Sequence, residues 1–457
     1  MQYVSTRGSA PTLDFGDVLL TGLAADGGLY VPDHWPRLPR LAPEASYAEV
    51  ATAVMAPFVA GSLEAAELAT LVEDAYATFS HPAVVPLVDL GDDHHLMELF
   101  WGPTLAFKDV ALQLVGRLFD HELGRRHQRL TIVGATSGDT GSAAIEACRD
   151  RDPLDVFILF PDGRVSDFQR RQMTTVRADN IHTIAVEGTF DDCQDLVKAM
   201  FADEAFRTER SLGAVNSINW ARVMAQIVYY VWAWLQVGQG GPVSFCVPTG
   251  NFGNLFAGEA ARRMGLDVDQ FIVASNRNAI LTQFFTTGAM TIGPVSPTLS
   301  PAMDIQVSSN LERLLFELLG RDGIQVAELM ARFRGEGHVE IPAEQFAPLG
   351  ERWSAAAIDD ERTVATIAEL AARTGMVVDP HTAVALAAAH DLRSSRSPLV
   401  TLATAHPAKF ADAVAAAGVV PPEPPDSLSD LLQRPEQYVT LPNDLAAVQD
   451  YVRSMAE

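Results

Sequence analysis

Two hydrophobic patterns alternate along this chain from about Phe100 onward. Short apolar runs rich in β-branched residues occur at Leu130–Ala135 (LTIVGA), Val156–Phe160 (VFILF) and Ile181–Gly188 (IHTIAVEG). Further runs follow at Val243–Val247 (VSFCV), Phe271–Ser275 (FIVAS) and Leu399–Thr404 (LVTLAT). Between them, apolar residues recur at helical spacing, as in SAAIEACRD, Ser166–Val176, Phe190–Ala202, Trp220–Val237 and a stretch starting at Asn254. Strands covered on both faces read as unbroken apolar runs, and strand–helix alternation predicts open, mainly parallel sheets flanked by helices, an α/β fold. Before Phe100 the chain is turn-rich, with two helical stretches expected near Tyr47–Val59 and Leu63–Phe79. Leu311–Leu392 reads as mostly helical, and the proline cluster Val419–Ser427 (VVPPEPPDS) as a linker before a C-terminal tail.

Length and charge narrow this picture. At 457 residues the chain is too long for one simple core and implies two or three domains. A formal net charge of -25 argues against nucleic acid as a partner, since a polyanion needs a basic surface. It does not argue against a small anionic substrate in a local basic pocket. Cys148, Cys193 and Cys246 are far apart and odd in number, which disfavours a disulfide scaffold and fits a reducing cytosol. No histidine, cysteine or carboxylate spacing suggests a metal site. The N-terminus lacks the apolar core of a signal peptide, and IVYYVWAWLQV is too short to span a bilayer. The expectation is a soluble cytoplasmic protein without membrane partners.

Lysine usage raises the first chemical question. Lys108, Lys198 and Lys409 are the only lysines. Lys108 falls in GPTLAFKDVALQL, where a helix is expected to begin. The positive end of a helix dipole is a poor place for an ammonium group. The dipole and partial burial beside Leu105-Ala106-Phe107 would both favour the neutral amine, which is the form that attacks an aldehyde. Lys198 lies on an amphipathic stretch and reads as solvated. Lys409 is the rival nucleophile, or else an anion ligand or a surface group.

Two loops at expected strand ends suit an anion. ATSGDTGSA follows LTIVGA and offers Ser137, Thr140 and close-packing glycines. PTGNFGN follows VSFCV and offers Gly250, Gly253, Asn251 and Asn254. Helix N-termini at such positions present unpaired N–H groups to a ligand. Neither loop is a Walker P-loop or a G-x-G-x-x-G fingerprint. A third strand end, TLATAHPAKF, places Thr404 before a proline-started turn.

Taken together, GPTLAFKD, ATSGDTGSA, NSINWARVMAQ, VPTGNFGN and TLATAHPAKF resemble the threonine synthase family. The opening YVSTRG…LLTGLAADGGLYVP resembles the start of its longer bacterial and fungal form. The resemblance spans nearly the whole chain, with the motifs in the family's order. It implies a pyridoxal-phosphate enzyme of fold type II, the tryptophan-synthase-β fold. It also implies an N-terminal domain over 1–99, a large domain beginning at 100–128, and a small α/β domain over 129–235. The large domain would resume over 236–457, with a helical insert and a tail.

The resemblance further implies that Lys108 carries the cofactor as an imine and then shuttles protons. Gly250, Asn251, Phe252, Gly253 and Asn254 would cradle the cofactor phosphate, and Thr404 would face the pyridine nitrogen. Asp139 stands where many relatives have asparagine beside the cofactor's phenolic oxygen; it would be either protonated or turned away. The implied reaction converts O-phospho-L-homoserine and water to L-threonine and phosphate. Ser137, Thr140, Asn216, Ser217, Asn219 and Arg222 are the candidate substrate ligands, with Arg222 offering a two-pronged grip on phosphate. Ser166, Gln169 and Arg170 of VSDFQRRQM are further candidates, or the polar face of a helix. His94-His95 reads as a turn, and His381 and His406 as structural. A phospho-lyase releasing a 2-oxo acid and ammonia, and an inactive metabolite-binding homologue, are the alternatives; a monomer or homodimer is expected.

Overall fold

Leu154–Pro161 has no exposed residue along its length, and it forms the middle strand of a five-stranded sheet. The computed structural model describes residues 1–394 and 396–456. In chain order its strands are β1 (Tyr3–Ser5), β2 (Tyr30–Pro32), β3 (Leu87–Asp89), β4 (His94–Glu98), β5 (Leu130–Ala135), β6 (Leu154–Pro161), β7 (Ile181–Glu187) and β8 (Leu212–Gly213). They continue as β9 (Val243–Pro248), β10 (Val268–Ser275), β11 (Ala289–Thr291), β12 (His338–Glu340), β13 (Trp353–Ala357), β14 (Leu399–Ala403) and β15 (Val439–Pro442). The larger sheet has the order β13-β10-β9-β14-β4-β3, and the smaller β15-β7-β6-β5-β8. All pairings in them are parallel except β3 with β4. This is the expected α/β architecture, with the jumps in strand order that helical crossovers produce.

The expected division of the chain shifts at four places. β3 and β4 lie before Phe100, yet they extend the larger sheet, so the N-terminal unit ends before residue 87. His94 and His95 therefore stand in a strand rather than a turn, and His94 Nε2 lies 2.8 Å from Thr401 Oγ1 across the β4–β14 pairing. Trp220–Val237 does not belong with the smaller sheet. It packs against the helices Tyr47–Val59, Lys108–Arg126 and Gly253–Arg263, buried on every side from Trp220 to Ala233. The tail returns to the smaller sheet, where β15 pairs with β7. Arg170 and Arg171 hold Glu436 just before that strand, at 2.9 and 3.3 Å. Within the expected helical region, Trp353–Ala357 is an edge strand; its run of alanines carries no β-branched signal.

The N-terminal unit is fastened to the larger lobe. The Trp220 indole donates to Tyr3 Oη at 3.1 Å, and Tyr3 in turn donates to the Phe58 carbonyl at 2.7 Å. Arg7 forms a two-pronged pair with Glu312 at 3.0 and 2.9 Å. Among the described residues, no helix is long and apolar enough to cross a membrane.

One close approach fixes the start of the Lys108–Arg126 helix relative to the Asp139–Cys148 helix. A Cβ on Gly116 would stand 2.2 Å from the Ala147 carbonyl oxygen, so the two helices meet backbone to backbone. Gly116→Ala is expected to force them apart and cost about 1–3 kcal/mol, the range for overpacking. Gly124 on the same helix has open space around its Cβ position, so Gly124→Ala is expected to be neutral or stabilising. Thermal melting of the two variants checks this, and equal losses would contradict it.

Candidate active site

Lys108 is the first residue of its helix, as the sequence suggested, and its side chain is buried. The turn before it is built by Asp109, whose carboxylate accepts from the Thr104 amide at 2.8 Å and the Thr104 hydroxyl at 2.7 Å. Leu105 sits in this turn at φ 60°, a left-handed conformation that costs a branched residue energy. An antiparallel bridge between Ala106 and Ala405 continues the turn, and the Phe107 amide donates to the Thr404 carbonyl at 2.8 Å. GPTLAFKD and TLATAHPAKF, some 300 residues apart, are thereby adjacent. Thr404 lies buried just past β14.

The ATSGDTG loop meets Lys108 from the smaller sheet. Thr136 Oγ1 accepts from the amides of Gly138 and Gly141 at 3.0 and 2.9 Å, closing the loop after β5. Gly138 has φ 144°, and a Cβ there would strike the Gln169 side chain, so only glycine fits. Asp139 is delivered to a buried position with Oδ2 3.3 Å from Lys108 Nζ and Oδ1 2.9 Å from Lys409 Nζ. Gln169 Nε2 also donates to Oδ1 at 2.9 Å. Burial by itself would raise the Asp139 pKa, but Lys108 and Lys409 outweigh it and hold the carboxyl well below the usual range. Asp139 is therefore held in its ionised form between Lys108 and Lys409, against the expectation of a protonated side chain. Burial lowers the Lys108 pKa; Asp139 opposes this, while Lys409 and Arg222 add to it.

The GNFGN bend follows β9, the neighbour of β14 in the larger sheet. Phe252 adopts φ 61° before the Gly253–Arg263 helix, and the first intrahelical bond from the bend runs from the Phe256 amide to the Phe252 carbonyl. The N–H groups of Gly253, Asn254 and Leu255 precede that bond and are the unpaired donors of a helix start. Space around the bend is closed on the protein side. A Cβ on Gly250 would lie 2.9 Å from Ile305 and 3.1 Å from the Ala302 carbonyl, and one on Gly253 would lie 3.2 Å from Asn310. Asn310 donates to the carbonyls of both Asn251 and Ser217, at 3.1 and 3.2 Å, joining the bend to the NSINWAR loop.

Side chains of the NSINWAR loop divide sharply. Asn219 is committed to structure: its Oδ1 accepts from the Ala221 amide at 2.9 Å, and its Nδ2 donates to the Leu19 carbonyl at 2.8 Å. With both ends used, it is a helix cap and not a free donor. Arg222 is buried; one nitrogen donates to the Val215 carbonyl at 3.0 Å and Nε has no partner among the described residues. Burial lowers its guanidinium to about 10, so it stays charged at neutral pH. Ser217 is half-buried and Asn216 exposed, as is Ser137, with Thr140 half-buried. Arg170 faces the tail through Glu436, and Ser166 caps the helix that carries Gln169. Lys198 is exposed and paired with Asp195 at 2.8 Å.

Two features escaped sequence reasoning. The hydroxyls of Tyr229 and Tyr230 donate to Asn254 Oδ1 at 2.5 and 2.9 Å, and its buried Nδ2 has no partner among the described residues. These tyrosines lay in an unbroken apolar helix and looked like core. Arg313, fully buried, donates to the carbonyls of Tyr30 and Ile218 at 3.1 and 2.6 Å and to the side chain of Asn310. No local pattern marks either of them. Lys409, weighed from the sequence as a rival nucleophile, an anion ligand or a surface group, is fully enclosed and so not a surface group.

These residues fit pyridoxal phosphate. A buried lysine lies beside Thr404. A bend whose glycines leave no room for side chains exposes the N–H groups of a helix start. Asn254 Nδ2, on that helix start, is a buried donor with no partner among the described residues.

Comparison with known proteins agrees with this geometry. Residues 2–76 match the model of the threonine synthase N terminus, residues 89–332 that of pyridoxal-phosphate-dependent enzymes, and residues 382–452 that of the threonine synthase C-terminal region. The threonine synthase of Pseudomonas aeruginosa is 54% identical over 99% of this chain and 98% of that protein. The pyridoxal-phosphate-bound threonine synthase structure from Brucella melitensis superposes with a TM-score of 0.98 at 50% identity, covering 100% of both chains. The yeast threonine synthase structure gives 0.93 at 37% identity, covering 99% of this chain and 98% of that one.

His406 provides a pH-dependent element at the rim of the site. Its Nδ1 accepts from the Ala408 amide at 3.2 Å, and its ring meets Phe100 edge-on. Burial lowers its pKa from 6.5 to about 4. The folded state thus binds this proton less tightly than the unfolded chain. The stability contributed is present above pH 6.5 and is lost as pH falls towards 4, up to roughly 3 kcal/mol. His406→Asn, which keeps an acceptor but cannot titrate, is expected to flatten that part of the acid limb. Urea denaturation across this pH range measures it, and an unchanged slope would contradict the assignment.

Proposed function

The chain belongs to the threonine synthase family of pyridoxal-phosphate-dependent lyases, and on that premise we propose that it converts O-phospho-L-homoserine and water to L-threonine and phosphate, with Lys108 as the amine that carries the cofactor and moves the protons. The observation that supports this most directly is the buried Lys108 amine at a helix start, beside Asp139 and next in space to Thr404. Pyridoxal phosphate, when bound, supplies an aldehyde that condenses with amines and a conjugated ring that accepts the electron pair left when carbon loses a proton.

The residues of the chain divide the remaining work. Gly250, Asn251, Phe252, Gly253 and Asn254 hold the cofactor phosphate through the donors of a helix start. The Thr404 hydroxyl would serve the pyridine nitrogen, and Asp139 would stand beside the cofactor's phenolic oxygen. Lys108 Nζ removes the proton from the substrate Cα and then one from Cβ, whose loss precedes departure of phosphate from Cγ; the same amine returns one proton to Cγ, which becomes the methyl group, and one to Cα after water has added its hydroxyl at Cβ and given up its proton. Arg222, with Ser217 and Asn216, grips the substrate phosphate, since its guanidinium is charged and its Nε is unclaimed. Ser137 and Thr140 serve the substrate carboxylate from the loop that bears Asp139.

The three cysteines are free and buried, consistent with a place in the cytosol.

The deciding experiment is incubation of the purified holoenzyme with O-phosphohomoserine and separate measurement of threonine, phosphate and 2-oxobutyrate. Threonine in step with phosphate is the expected result; oxobutyrate as main product would overturn the reading in favour of a phospho-lyase. Lys108→Ala is expected to lose both the imine absorbance and turnover. Arg222→Ala is expected to raise KM for the phosphorylated substrate about ten- to a hundredfold, the worth of a charge-assisted hydrogen bond, with little change in cofactor affinity. An unchanged KM would remove Arg222 from the substrate site.

A further inference from the structure

Lys409 is the enclosed charge for which the reaction above has no use. Its side chain has no solvent exposure; it lies 2.9 Å from Asp139 Oδ1 and donates to the Thr104 carbonyl at 2.7 Å. That carbonyl also accepts from Gln172 Nε2 at 3.0 Å, so the ammonium group is anchored by the same turn that introduces Lys108. Lys108 occupies the other oxygen of the same carboxylate, at the longer distance of 3.3 Å. One carboxylate thus serves two lysines and holds the non-reacting one more closely.

This arrangement has a specific consequence. A buried carboxylate with a single lysine partner would keep that lysine charged, because neutralising it would strand a bare anion in the interior. With a second cation in permanent contact, Asp139 stays matched whether or not Lys108 is protonated. We propose that Lys409 is the standing counter-ion of Asp139 and so a positioning residue that releases the Lys108 amine for reaction with the cofactor aldehyde. The proposal rests on the reading of Lys108 as that amine.

The other charged groups around the pair do not substitute for Lys409. Lys108 faces Asp139 from the Asp139–Cys148 helix, Lys409 from the turn after β14, and Arg222 from the Trp220–Val237 helix. Arg222 has the wrong sign to hold Lys108 charged and makes no bond to Asp139. Asp109, a further carboxylate that senses the Lys409 charge, is engaged by Thr104. His406, close to Lys409 on the same turn, is held neutral by burial.

The test follows imine formation instead of turnover. Full-length protein freed of its cofactor is mixed with pyridoxal phosphate across a range of pH. The initial rate of absorbance growth is recorded, and the modified residue is identified by mass after borohydride reduction. In Lys409→Met the midpoint of the rate profile is expected to move up by about one pH unit, making the reaction about tenfold slower below it. Lys409→Arg keeps the charge and is expected to restore the original midpoint. Asp139→Asn leaves the lysines without their shared anion and is expected to shift the midpoint down. A Lys409→Met profile with the original midpoint and only a lower plateau would overturn the proposal. If that variant does not fold, an Asp139→Asn midpoint that fails to fall does the same. Imine formation by Lys108→Ala at the original rate would instead refute the assignment of Lys108, a separate failure.

Discussion

The Asp139 carboxylate, buried between two ammonium groups, is the interaction that organises this molecule. Three charges withdrawn from water are tolerated only when each has close partners in fixed positions. Here the partners come from parts of the chain that are remote in sequence: the helix start at Lys108, the loop after β5, the helix bearing Gln169 and the turn after β14. Their meeting requires the two sheets to present the C-terminal ends of β5 and β14 to one another, so the fold and the chemistry are set by the same geometry. The helix contact at Gly116 and the bridge between Ala106 and Ala405 supply the rigidity that such a cluster needs.

The GNFGN bend illustrates a second demand, that a ligand-holding loop be shaped from behind. Its donors point outward only because other groups occupy its carbonyls and side chains. Ser308 Oγ donates to the Gly250 carbonyl at 2.7 Å, Asn310 to the Asn251 carbonyl, and two tyrosines immobilise the Asn254 oxygen. Arg313 braces Asn310 in turn and reaches β2, so the N-terminal unit contributes to the posture of the bend. This gives the N-terminal unit a structural bearing on the site although none of its residues is assigned to the ligand.

Much of this was legible in the sequence, and the reasons differ by element. β5, β6, β7, β9, β10 and β14 are covered on both faces, so their apolar runs are continuous and conspicuous. The helices Tyr47–Val59, Phe190–Ala202 and Trp220–Val237 fall where periodicity put them. β13 was missed because an edge strand needs little apolar surface, and the HHLME strand because its two histidines break the apolar run although β14 and β3 pair with it on both sides. For the site, loops after strands and a lysine at a helix start carry local signals, so Lys108, the GNFGN bend and Asp139 could be singled out. Asn219 bore the same kind of label and proved to be a cap, since a free amide and a capping amide look alike until their partners are known. Lys409 and Arg313 depend entirely on what lies across from them in space.

The return of the tail to the smaller sheet bears on how the molecule is made. β7 has β6 on one side and β15 on the other, and β15 begins at Val439, more than 250 residues after β7 begins. During synthesis the smaller lobe therefore emerges with an open hydrogen-bonding edge and keeps it until β15 has been made. An open edge is a template for pairing with another chain. The strand that seals the lobe is thus translated long after its neighbour, and a chain cut between β14 and β15 holds both sheets with the smaller one unsealed.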